Sequence, residues 1–155
     1  MIEIKKKDFQ IIIKELEKDH LIDSFFDTLS NLTEIGEDVY NKEFSQKILD
    51  KIKNAGNIRI FVAMKDSDIV GSITAIIEQK FIHNGGKICH IEDVVTRKGF
   101  EKLGIGSQLV EKVLELAKIE KCYKVILNCS EYNLKFYENL GFYKHDTGMR
   151  YNIDI

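Results

Sequence analysis

A chain of 155 residues, 44% of them apolar and 31% charged, has the size and make-up of one domain around one core, and a single domain is expected over residues 1–155. A formal net charge of -2 offers no general attraction to nucleic acid or to an anionic membrane, so an anionic ligand has to be held by a local arrangement of groups. No apolar run approaches the ~20 residues that cross a bilayer, so a soluble protein without a membrane span is expected.

No signal peptide is expected at the N-terminus. Lys5 to Lys7 precede only the short apolar run Ile11 to Ile13, and Lys14, Glu15 and Glu17 follow at once. Ile2 and Ile4 alternate with charge as in a short first strand, and residues 8–31 carry apolar side chains at broadly helical spacing, from Phe9 through Leu16 and Phe25 to Leu29. The spacing predicts a helix again over 41–54, where Phe44, Ile48, Leu49 and Ile52 share a side and Gly56 is a stop signal. Residues 57–65 and 69–80 are β-branched runs joined by Asp66, Ser67 and Asp68, which is the chemistry of an antiparallel hairpin. A third strand is expected over 87–96, after the Asn84-Gly85-Gly86 turn.

The period then changes. Residues 107–120 put Leu109, Val110, Val113, Leu114, Leu116 and Ala117 on one broad face of a helix, with Glu115 and Lys118 available as an outer ion pair. A buried strand is expected over 124–129, a short helix over 131–140 and a last strand over 142–153. This order predicts an α/β (α+β) fold, a mixed and mostly antiparallel sheet with helices on both faces. Cys89, Cys122 and Cys129 are odd in number and lack metal-ligand spacing, so reduced thiols, a cytoplasmic location and no metal are expected.

The segment VVTRKGFEKLGIGSQLV carries the clearest chemical signal, because a strand runs through Gly99, Gly104 and Gly106 straight into a helix. Glycines let backbone approach a phosphate closely, and the first helical turn presents unsatisfied N–H groups at the positive end of the helix dipole. Arg97, Lys98 and Lys102 add charge. Neither the G-x-x-x-x-G-K-[ST] loop nor the dinucleotide G-x-G-x-x-G pattern is present in its proper context, which argues against ATP and NAD.

EKLGIG at 101–106 resembles the pyrophosphate loop of the GNAT acetyltransferases, with Glu101 where that family has Arg or Gln. YNLKFYENLGF at 132–142 resembles the same superfamily's C-terminal motif, in matching order. The resemblance implies the GNAT fold and acetyl-CoA as cosubstrate. It further implies that Val94, Val95, Lys102, Leu103, Gly104, Ile105, Gly106, Ser107 and Asn133 bind the coenzyme, with Tyr137 beside the thioester sulfur. With Glu101 at its position, the backbone amides are expected to carry the diphosphate while its carboxylate turns outward.

Beyond the superfamily motifs, NLTEIG at 31–36, EQKFIH, HIEDVV and CYKVILNC resemble the glucosamine 6-phosphate N-acetyltransferases. That resemblance implies acetyl transfer to the amine of glucosamine 6-phosphate, in the biosynthesis of UDP-N-acetylglucosamine. Thr33, Lys80, Phe81, Ile82, His83, Glu92, Asp93, Tyr123 and Lys124 would line the sugar phosphate site, in a homodimer with sites near its interface. Glu92 and Asp93 are adjacent on a strand and face opposite sides unless a bulge re-aims one of them.

Tyr137, Glu92 and Asp93 are the catalytic candidates, and a water-linked His83 or His90 is a further candidate base. Asn128 stands where relatives have Asp or Glu and cannot act as a base. In the last strand relatives keep an Arg where this chain has Asn152, and Arg150, on the same strand face, is a candidate for the phosphate. Two alternatives stay open: a GNAT enzyme for another small amine or a protein amine, and a non-catalytic acyl-CoA-binding module.

Overall fold

The computed structural model describes residues 9–155, so the strand expected at Ile2 and Ile4 lies outside the described residues. Five strands form one sheet in the order β1 (Ile12–Glu15), β2 (Ile58–Lys65), β3 (Asp68–Gln79), β4 (Lys87–Thr96) and β5 (Cys122–Ile126). The first four are antiparallel, and β5 runs parallel to β4. That reversal requires a crossover, which is α4 (Ile105–Ile119).

Alternation along the strands divides the core between two faces. On β2, Phe61 and Ala63 join α4, while Val62 between them meets α1 (Asp23–Leu29) and α2 (Lys42–Ala55) on the other side. Leu109, Val110 and Val113 of α4 are fully buried, so truncating one to alanine costs about 2–5 kcal/mol at the Leu position. The helix can lie this close because Gly71 of β3 has no side chain. A Cβ there would stand 2.7 Å from Ile105 Cγ2 and 3.0 Å from Leu109 Cδ1.

Local signals set the helix limits. Asn41 caps α2 by accepting the Phe44 N–H at 3.0 Å, and Gly56 ends it at φ 76°. Asp66 takes φ 54° in the two-residue turn between β2 and β3. On α4, Glu115 pairs with Lys112 at 3.7 Å rather than with Lys118.

Three expectations are corrected. Residues 8–31 are not continuous helix: Ile12–Glu15 is a strand of alternating exposure paired with β2, a 3-10 turn follows at Lys18–His20, and only α1 is helical. The β-branched run Ile11 to Ile13 suits an open sheet edge, and Arg59 of β2 holds Glu15 through two nitrogens. The strand expected over 124–129 ends at Ile126 and is half-exposed, because β5 is a sheet edge. Residues 142–153 form no strand, and Tyr143, Met149, Tyr151 and Ile153 stand exposed.

Among the described residues no helix is long and apolar enough to cross a membrane. An apolar hollow of about 290 Å³ lies between α1, α2 and β2, lined by Phe25, Leu29, Ile48, Leu49, Ile52 and Ile60 among others.

Candidate active site

The site forms where β4 and β5 part. Their pairing runs from Lys87↔Cys122 to His90↔Ile126 and stops, although β4 continues to Thr96. At the same level β4 bulges against β3: Ser72 pairs with Val95 and Thr74 with Glu92, so three steps on β4 answer two on β3. Asp93 absorbs the extra residue at φ 51°. This is the bulge that the sequence left as a condition, and it leaves both Glu92 and Asp93 exposed. Beyond His90, among the described residues, no strand pairs with the outer side of β4, so the backbone around Val94 can offer N–H groups to a ligand in the gap.

The glycine loop lies at one end of that gap. Lys102 takes φ 62° and Gly104 φ 81°, which swing the chain into α4, and no side chain caps the first turn of that helix. Its leading N–H groups are therefore left for an anion. Gly106 sits under the ring of Phe136, where a Cβ would stand only 3.2 Å from Cζ. Ile105 is buried against Gly71 and anchors the turn, while Lys102, Leu103 and Gly104 are exposed. Glu101 is exposed, and its carboxylate accepts the Gly99 N–H at 2.7 Å, so it closes the preceding turn.

Against the first turn of α4 lies the C-terminal motif, where a 3-10 turn (Glu131–Asn133) leads into α5 (Leu134–Asn139), whose Tyr137 is the one buried residue of that helix. Its ring packs edge-on against Phe136 at 4.9 Å and Phe142 at 5.8 Å. Burial, and after it the charge that Cys129 carries as a thiolate, raises the Tyr137 hydroxyl above the ordinary phenol value. The group is a proton donor throughout the neutral range.

Of the expected acceptor residues, His83, Tyr123 and Lys124 lie together. The single turn α3 (Ile82–Gly85) contains His83 and Asn84 at positive φ, and the His83 ring stacks on Tyr123 of β5 at 4.1 Å. Gly86 permits this contact, since a Cβ there would meet Tyr123 at 2.8 Å. Lys124 Nζ lies 5.8 Å from the same ring, and Phe81 and Ile82 are exposed at the tip. Thr33 is exposed in the loop after α1.

Two phosphate candidates are engaged elsewhere. The Lys80 ammonium is paired with Glu78, whose other oxygen lies 2.7 Å from His90 Nε2. The Lys80 hydrogen bond, then the one to His90, holds the Glu78 carboxyl below its usual range. His90, a candidate base, is thus tied to a carboxylate. Arg150 is bonded to Asn152 at 2.7 Å in the exposed tail, not to the Lys80 cluster. Glu78 went unnoticed in the sequence, where it is one more polar residue on an alternating strand; only the cross-strand register with His90 reveals it.

Among the described residues no cluster of His, Cys, Asp and Glu could hold a metal ion. A parted strand pair, a bulge at the parting and an uncapped helix start form the arrangement that the resemblance to the GNAT acetyltransferases implies for an acyl-coenzyme A site. Residues 21–142 match the model of the acetyltransferase (GNAT) family, and the chain belongs to that family, whose cosubstrate is acetyl-CoA.

Within the family, curated relatives that it matches include glucosamine 6-phosphate N-acetyltransferases of several eukaryotes. The enzyme of Trypanosoma brucei brucei is 38% identical over 68% of this chain and 73% of its own length. That of Arabidopsis thaliana is 34% identical over 83% and 87%. The crystal structure of the Arabidopsis thaliana enzyme superposes with a TM-score of 0.89, covering 94% of this chain and 99% of that one at 32% identity.

Proposed function

We propose that this chain transfers the acetyl group of acetyl-CoA to the amine of glucosamine 6-phosphate, giving N-acetylglucosamine 6-phosphate and CoA. The observation that carries the reading is the gap where β4 and β5 part, with the Glu92–Asp93 bulge on β4 and the uncapped start of α4 after it. The diphosphate lies on the N–H groups from Leu103 to Ser107, with Lys102 beside it, and Val94, Val95 and Asn133 hold the pantetheine arm. The acceptor lies among Thr33, the 80–83 turn, Glu92, Asp93, Tyr123 and Lys124.

The free amine attacks the acetyl carbon, and the C–N bond forms as the carbonyl oxygen gathers charge against N–H groups of β4 near Val94. Collapse breaks the C–S bond, and the Tyr137 hydroxyl gives its proton to the leaving thiolate. The proton lost by the amine passes to Glu92 or Asp93, the carboxylates exposed at the bulge.

A homodimer completes this reading. Met149, Tyr151, Ile153 and Ile155 expose apolar side chains at alternate positions of an unpaired tail, and the outer edge of β5 is open. A strand from a second copy laid on that edge would bury both, and would bring the tail with Arg150 toward a neighbouring acceptor site.

Thiol release from acetyl-CoA, followed across a panel of amines, tests the function. Release with glucosamine 6-phosphate, well above that with glucosamine, spermidine or a lysine peptide, is the expected result. Release with another amine alone transfers the site to that acceptor, and no release with any amine rejects catalysis.

A further inference from the structure

The loop that carries Thr33 and the loop that carries the coenzyme amides are joined by one side chain. Asn31 Oδ1 accepts the Lys98 N–H at 2.6 Å, across 67 residues of sequence. Both partners sit on fixed supports. Thr28, fully buried near the end of α1, shares its hydroxyl proton between the Ser24 carbonyl at 2.7 Å and the Ile69 carbonyl at 2.9 Å, and Ser24 Oγ accepts the Ile69 N–H at 3.0 Å. The next residue of β3, Val70, accepts the Arg97 N–H at 2.8 Å. Adjacent residues of one strand therefore hold the end of α1 and the exit of β4, and Asn31 closes the triangle.

What hangs from this corner is exposed on both sides. Leu32, Thr33 and Glu34 follow Asn31 without a helix or strand to hold them, and Gly99 to Gly104 follow Lys98 in the same way, apart from half-buried Phe100. Such segments are ordered by few contacts, so a single hydrogen bond between them counts. A ligand that orders one loop then reduces the entropy cost of ordering the other.

We propose that Asn31 is a positioning residue that couples the two substrate sites. Coenzyme on the α4 amides steadies Lys98 to Gly104, and the Asn31 bond passes that order to Leu32 and Thr33 at the acceptor site. The acceptor half of this statement rests on the proposed function; the link between the loops does not. Linkage makes the effect mutual, so the acceptor tightens coenzyme binding by the same factor.

The test uses the full chain, as wild type, Asn31→Ala and Asn31→Asp, the last keeping an acceptor oxygen. Calorimetry measures glucosamine 6-phosphate affinity with and without saturating CoA, and hydrogen exchange follows the amides of 32–36 on adding CoA alone. Wild type and Asn31→Asp should bind the sugar phosphate about five- to ten-fold tighter with CoA, at the lower end of ordinary coupling factors. Asn31→Ala should lose that enhancement, and the slowing of exchange at 32–36, while binding CoA as wild type does.

Enhancement retained in Asn31→Ala, or absent from wild type that binds the sugar, overturns the proposal. So does CoA affinity falling with the variant, which marks general loop damage. If wild type binds no glucosamine 6-phosphate, the proposed function fails, and the exchange experiment still decides the coupling: slowing at 32–36 in Asn31→Ala equal to wild type rejects it.

Discussion

Gly106, in the first turn of α4, lies against the ring of Phe136: a Cβ added there would stand 3.2 Å from Phe136 Cζ. The glycine loop and the aromatic motif, thirty residues apart, meet at this point. Coenzyme amides and Tyr137 are positioned as one piece.

Gly106→Val should therefore disturb both ends of the site. Two further methyls against Phe136 cost about 1–3 kcal/mol of overpacking, more than valine alters the helix preference of glycine. Thermal unfolding should report the loss, and calorimetry with CoA should show affinity reduced about ten-fold or more. Wild-type affinity would mean that Phe136 yields without moving the first turn of α4.

Tyr137→Phe removes a proton donor while keeping the ring packing. Turnover should fall about 10²-fold, the scale of lost general acid assistance, with CoA affinity little changed. Because burial raises the hydroxyl above the ordinary phenol value, the wild-type decline in kcat from its ionisation should lie above about pH 10. Full turnover by the variant would assign thiolate protonation to water.

The three thiols should react in order of exposure. Cys89 is fully buried, and burial, then its neighbour Cys122, pushes its thiol up to about 12, so it should resist Ellman's reagent until the protein unfolds. Cys122 is partly covered and raised by burial, whereas Cys129 is exposed. Mass spectrometry after brief labelling at pH 8 should find Cys129 modified first. Early labelling of Cys89 would show that β4 opens in the native state.

Acid should weaken the fold in part through Glu78. Its carboxyl lies below the usual range because of Lys80 and then His90, so the ionised form is favoured in the folded state. The stabilisation is present above the unfolded carboxylate value of about 4.3 and is lost as pH falls through the lower folded value. Glu78→Gln should lower Tm modestly at neutral pH, where the ionised carboxylate acts, and the two proteins should converge as the pH falls below about 4.5, so that the variant's acid limb is flatter. A parallel fall in both proteins would assign the acid limb to other carboxylates.

The legible elements were those with a local cause. The β-branched runs around the Asp66 turn, the wide apolar face of α4 and the Asn41 to Gly56 limits of α2 each depend on residues within one or two turns of chain. The apolar spacing of Ile12–Glu15 satisfies a helix as well as a strand, and only the free edge of β2 decides between them. The segment 142–153 has the alternation of a strand, yet alternation supplies no partner.

By itself, the sequence determined the chemistry that short spans can carry: a glycine turn opening an uncapped helix, and an aromatic pair closing on a glycine. The tertiary structure decided everything that depends on which strand faces which. The bulge at Asp93, the parting of β4 from β5 and the reach of Glu78 to His90 arise from strand pairing, and the bond from Asn31 to Lys98 arises from the docking of α1 beside β3. Register is set by packing summed over the whole sheet, and a one-residue shift of β3 against β4 would part Glu78 from His90 by sending one of them to the opposite face.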